Sequence, residues 1–292
     1  MLPRVPLYYP LGIEREYIRL MDSDMAMLGK ALETHLPGLF RAMSGEPPDS
    51  RRDEDGGEPP GLYALINDVF SSIQRELEQA AGVSGTRQKL WRIARGAQSW
   101  SVAQWRRVVR DTLGINILED YYRGEFFRHM LTVWVDRNVG LIKTARQHTL
   151  GELREIVLDG WRKGQLTRDI ASRIQGEYKI GRHRAQFWAR DQTAKLNADL
   201  ARQQQEDAGV EEYVWATSVD ERVRGNPKGK WPDGGDHYSL EGRRYSWTNP
   251  PVVDKRTGRV AHPGKDYNCR CVALPVFNLP GLSLPWERSE QQ

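Results

Sequence analysis

The chain has 292 residues, 28% of them charged, with a net charge of +4 and a mean hydropathy of −0.67. Its length fits one large domain or two ordinary ones, and ten Trp and eleven Tyr supply material for a core. Two cysteines exclude a disulfide scaffold, and no apolar run nears the roughly 20 residues that span a bilayer.

The basic residues are spread along the chain, so the charge permits nucleic-acid contact without requiring it. The N-terminus lacks the order of a signal peptide, and the low cysteine usage fits a reducing cytoplasm.

Met1 to Pro10 reads as an extended Pro- and Tyr-rich arm. From Ile13 onward, Tyr17, Leu20, Met21, Leu28, Leu32, Leu36 and Leu39 follow a helical period, interrupted at Asp22 to Asp24. Residues 1–43 are thus an arm and helix. Ser44 to Gly61 has four prolines, four glycines and a mixed-charge middle, which predicts a flexible linker over 44–61.

A helical region is predicted over 62–148. Leu62, Leu65, Ile66, Val69, Phe70, Ile73 and Leu77 share a stripe. Ser101 is placed to cap a helix carrying Trp105, Val108, Val109 and Leu113, which Gly114 ends. Tyr121, Phe126, Phe127, Met130 and Trp134 stand at helical spacing and read as core.

Residues 149–209 form a further helical part. Thr149 and Glu152 have capping-box spacing, opening a helix that stops at Gly164. Thr167 then caps a short helix ending near Gly176, and a third runs from Gly181 to Gly209 with Ala185, Trp188, Ala189, Gln192, Leu196 and Leu200 on one stripe. Gln192 either bonds a partner across a helix interface or sits in water at the stripe's edge.

After Gly209 the period changes to two. Glu212 to Thr217 alternates like a strand, 220–268 carry little regular signal, and Cys269 to Val276 read as a closing strand. Residues 210–280 are therefore a small module and 281–292 a tail. The expected fold class is α+β: a mostly helical body with a small C-terminal β-containing module.

The only two cysteines, Cys269 and Cys271, are one residue apart. In an extended chain they face one side and Arg270 the other. Two thiolates on one face can join on one zinc ion, with His262 and His237 as further ligands and Asp220 as a weaker one. The competing reading is two small buried side chains in a strand.

Asp220, Arg222 and Arg224 fall on one face if the strand pattern continues, either as a turn-fixing ion pair or as an anion site. Arg243, Arg244, Lys255 and Arg256 lie in loops near Trp231, Tyr245 and Trp247, a mix suited to phosphate contact and base stacking or to plain solvation.

The ordered motifs resemble those of the phage Mu F-like minor head proteins, also described as phage head-morphogenesis proteins. They are Tyr213 to Trp215, Asp220-Glu221-Arg222-Val223-Arg224, His237, Leu240-Glu241-Gly242, Trp247 with Pro250-Pro251, His262-Pro263-Gly264, and Asn268 to Cys271. Ala189 to Asn197 and Tyr9 to Ile13 also look like the family's. Two departures stand out. Some relatives carry Cys-x-x-Cys where this chain has Val223-Arg224-Gly225-Asn226, and Gly225 to Asp236 looks like an insertion.

The resemblance implies a non-enzymatic, low-copy component of the phage head. Its expected partners are portal and major head proteins and double-stranded DNA, not a membrane. Its expected places are the virion and, during assembly, the host cytoplasm. Asp220, Arg222, Arg224, Asn268 and Gln192 are then expected to hold the motif together. A metal-dependent nuclease or transferase-like enzyme in the C-terminal module is the rival reading.

Overall fold

The computed structural model describes residues 1–3, 5–45, 60–83, 85–278 and 280. Five long helices come first: α1 Leu11–Gly45, α2 Pro60–Val83, α3 Thr86–Leu113, α4 Glu125–Arg162 and α5 Thr167–Asp207. Five short strands follow: β1 Glu212–Ala216, β2 Arg244–Ser246, β3 Val252–Asp254, β4 Arg259–Val260 and β5 Val272–Pro275. The protein is mostly helical with a small C-terminal sheet region, the α+β class indicated by the sequence. Most of the linker stretch, residues 46–59, and the tail 281–292 lie outside the described residues. Ser44 and Gly45 are the last two residues of α1, while Pro60 and Gly61 open α2.

The helices are longer than the local signals suggest, and each discrepancy has a cause. α1 runs through Asp22 to Asp24 without a break. Asp24 is buried against Arg146 at 2.8 Å, and Asp22 accepts hydrogen bonds from Arg182 and Gln186. These acids are answered from other helices, so they do not interrupt α1.

Thr149 and Glu152 lie inside α4 and do not open a helix. The Thr149 hydroxyl donates back to the Ala145 carbonyl at 3.0 Å, a bond available only within a helix. Ser101 is likewise inside α3, buried, with its hydroxyl 3.0 Å from Gln204 Oε1.

Gly176 and Gly181 do not stop α5. A Cβ on Gly181 would come within 2.6 Å of the Thr149 hydroxyl oxygen, so this glycine marks a close approach between α5 and α4. Among the aromatics read as core, Phe127 and Trp134 are buried. Tyr121, in the short 3-10 turn before α4, and Phe126, in the first turn of α4, are substantially exposed.

The chain divides into two compact units. One comprises Tyr17–Leu90 and Val135–Ala189; its elements among the described residues are helices, and Leu28, Ile66, Ile73 and Leu153 are fully buried in it. Within it the Tyr17 hydroxyl donates to Asn138 at 2.6 Å.

The other unit comprises Met1–Glu16, Trp91–Trp134 and Arg190–Gln292 and contains every strand among the described residues. β1 is the middle of a three-stranded antiparallel sheet, β2-β1-β5, with Tyr213 opposite Tyr245 and Trp215 opposite Ala273. Tyr213 and Trp215 are two residues apart, so both face the same core, with Leu240, Trp247, Val253, Cys269 and Cys271. β3 and β4 form a separate antiparallel pair. The stretch 220–268 thus holds three strands that show no alternation in sequence. They are two or three residues long, too short to display a period.

α5 feeds this module directly. It ends through Gly209 at φ +72°, where the Val210 N–H returns to the Gln205 carbonyl. The Gln205 side chain then donates to the Ala273 carbonyl of β5 at 3.0 Å.

Candidate functional site

The two cysteines precede β5 and are not part of it. They form an extended lead-in that follows a tight turn at His262-Pro263-Gly264. Gly264 has φ +79°, and a Cβ there would lie 2.8 Å from the Ala198 Cβ, so the turn requires glycine for two reasons. Asn268 also takes the left-handed conformation, φ 48°, which Asn tolerates better than most residues. Its N–H donates to buried Asp191 of α5 at 3.1 Å. This pair of turns sets the direction of the two sulfurs.

His237 arrives from the opposite side, at the start of a short 3-10 turn, His237–Leu240. The stretch Gly225 to Asp236 that reads as an insertion is a closed loop. Gly225 N–H bonds the Trp231 carbonyl and Lys230 N–H the Glu221 carbonyl. Asp236 N–H bonds the Val253 carbonyl of β3, and Tyr238 N–H bonds the Arg224 carbonyl. The turn carrying His237 is therefore bonded on both sides.

His237 Nδ1 lies 3.5 Å from Cys269 Sγ and 3.6 Å from Cys271 Sγ. All three donor atoms fall within 4.8 Å of one another, and all three residues are buried. The opposite ring nitrogen, Nε2, is 2.9 Å from Asp266. Asp266 is itself held by Arg224 at 2.8 Å and Arg259 at 3.0 Å. The Gly264 N–H points at Cys269 Sγ from 3.4 Å.

The electrostatics follow from these contacts. Burial opposes charge on His237, but its bonds to Asp266 and Cys269 outweigh burial and raise its pKa above the ordinary value. Burial likewise works against the Asp266 carboxylate, yet His237 and Arg224 hold its pKa well below the usual range. At Cys269, burial is overcome by hydrogen bonds from Cys271 and His237, so its thiol titrates low. Cys271, bonded to that sulfur and buried beside it, is pushed up.

The remaining residues singled out in the sequence separate into three groups. His262 stays outside the sulfur cluster, although the spacing had placed it among the ligands. Its Nδ1 is 2.9 Å from the Tyr213 hydroxyl, and its ring sits against Tyr213 and Trp247. The aromatic core formed by β1 captures it. Burial lowers its pKa to about 4.

Asp220, Arg222 and Arg224 do not share a strand face, because β1 ends at Ala216 and a turn follows. Asp220 is closed on Arg222, accepting from its backbone and its guanidinium. Arg224 is drawn away to Asp266. Gln192 donates to its neighbour Asp191, while its carbonyl accepts from the Trp134 indole. Of the basic residues expected in loops, Arg244 opens β2 and pairs with Glu212, Lys255 pairs with Asp236 and Arg256 with Asp254, and Arg243 is exposed.

Two site residues carry no sequence motif that marks their role. Asp266 orients His237, and Glu14 receives Arg270 through bonds of 2.6 and 3.1 Å. Both are single acids in polar surroundings, and only three-dimensional proximity identifies them.

Fold and site together define an α+β protein with a buried thiol–imidazole centre at the foot of a small antiparallel sheet. Residues 151–274 match the family described as Phage Mu protein F like protein. An uncharacterized protein of Haemophilus influenzae is 36% identical over 141 residues, 48% of this chain. The match covers only 28% of that relative's length. No solved structure matches. No helix among the described residues is long and apolar enough to cross a membrane.

Proposed function

We propose that this chain is a minor head protein of a phage and takes part in head morphogenesis. In this reading it joins the prohead interior near the portal, and its partners are portal and major head proteins. It belongs to the virion and passes through the host cytoplasm during assembly. The single observation carrying the reading is the Mu F-like match over residues 151–274, which runs from the last turns of α4 to β5.

The site is consistent with a structural role. Cys269, Cys271 and His237 are 3%, 8% and 2% exposed. The family match does not favour the nuclease or transferase-like rival. DNA contact is part of the proposal: Arg243 is exposed, and Arg244, Lys255 and Arg256 keep 57%, 75% and 62% of their side chains exposed despite their ion pairs.

The test is co-purification from infected cells, with copy counting and immunogold labelling on purified heads. The proposal expects a few copies per head and recovery with portal protein. Absence from both proheads and mature heads would eliminate it.

A further inference from the structure

We infer that Cys269, Cys271 and His237 form a zinc site, with Asp266 as the residue that orients its histidine. The inference stands apart from the role in the phage head and does not depend on it.

The geometry carries the argument. In a tetrahedral site with Zn–S near 2.3 Å and Zn–N near 2.0–2.1 Å, each sulfur–nitrogen edge is about 3.5 Å. His237 Nδ1 stands 3.5 and 3.6 Å from the two sulfurs, matching both sulfur–nitrogen edges of such a tetrahedron, and the three donor atoms all lie within 4.8 Å of one another. Thiolate and imidazole donors select zinc over magnesium or calcium, which prefer oxygen.

A second set of contacts points the same way. A metal-bound imidazole needs its other nitrogen protonated and bonded, so that the ligating lone pair is fixed in direction. Asp266 does this at His237 Nε2, and Arg224 and Arg259 keep Asp266 ionised and in place. A thiolate ligand is steadied by N–H donors, and Gly264 N–H is aimed at Cys269.

The described residues supply three ligands, and the fourth corner goes to water. Binding at neutral pH displaces two protons, whichever way they are shared beforehand. Either both thiols lose one, or one thiol and the imidazolium do, and the protons go to solvent. Zinc there ties the turn before β5 to the turn at His237, two segments 32 residues apart in sequence. Its contribution is to hold the module closed.

Elemental analysis of the full chain, purified without chelator, is expected to give about one zinc ion per molecule. Cys269→Ser, Cys271→Ser and His237→Ala should each lose it, and His262→Ala should keep it. Those variants risk misfolding, so the unaltered protein provides the second arm. After removal of zinc it is titrated with Co²⁺, and a sulfur-to-cobalt charge-transfer band should grow to one equivalent and vanish on adding Zn²⁺. A folded protein that neither retains zinc nor gives that band would overturn the inference. So would metal that survives His237→Ala and is lost in His262→Ala, or bound cobalt that lacks the charge-transfer band.

Discussion

Arg270 stands between the two cysteines, yet its guanidinium is forked onto Glu14 at the start of α1, 256 residues earlier in the chain. The extended backbone sends the sulfurs to one side and the arginine to the other, so one tripeptide serves two interiors. Glu14 is 4% exposed, with Arg190 a more distant second cation at 3.9 Å. Because the pair is largely buried, removing one member leaves a charge that water cannot reach. Arg270→Met is expected to cost about 3 kcal/mol, and Glu14→Met with Arg270→Met to recover most of it. Denaturant midpoints of the two variants check this; equal losses in both would show that the charge pairing is not the source of the effect.

Gly264 answers to two constraints, a left-handed φ and a close approach to α5. Gly264→Ala should destabilise by about 2 kcal/mol, more than the loss of backbone freedom alone could offset. Gly242→Ala makes a suitable comparison, since φ is +72° there with nothing near the added carbon. If thermal melting finds both variants equally affected, contact with Ala198 is irrelevant.

His262 is neutral in the fold. An unfolded His262 takes a proton near pH 6.5, and the folded one only near about 4. Between these values the unfolded chain binds more protons, so the histidine's contribution is complete above pH 6.5 and lost as pH falls toward 4. The loss is up to about 3 kcal/mol. The raised pKa of His237 acts with the opposite sign, but it is common to both proteins when the wild type is compared with His262→Gln. The difference between their stability curves should fall across this window and be flat above pH 7. A difference that grows with rising pH would contradict a neutral His262.

Gly176 and Gly181 lie in the same helix and should respond oppositely to alanine. Gly176 is exposed with open space around its Cβ position, so Gly176→Ala should stabilise by about 0.5–1 kcal/mol. Gly181→Ala must displace Thr149 and should cost about 1–3 kcal/mol. Circular dichroism melts of the two variants decide the matter, and stabilisation by both would mean that Thr149 yields freely.

Much of the architecture is visible along the chain because it depends on near neighbours. The stripe Leu62 to Leu77, the stop at Gly114 and the change of period after Gly209 are local, and the structure places helix ends and the first strand accordingly. Cys269 and Cys271 are conspicuous for the same reason, being the only sulfurs of their type.

What the sequence by itself determined is the helical body, the switch to short strands and the pairing of two thiols on one side of the chain. Each follows from backbone periodicity acting over a few residues. Tertiary structure decided which histidine meets those thiols. His262 is seven residues away and His237 thirty-two, but the nearer one is taken by Tyr213 while loop bonds deliver the farther. It also decided that Asp24, Thr149 and Gly181 continue helices they would locally interrupt. Partners such as Arg146 and close approaches such as Gly181 to Thr149 come from distant segments, and no window of sequence contains them.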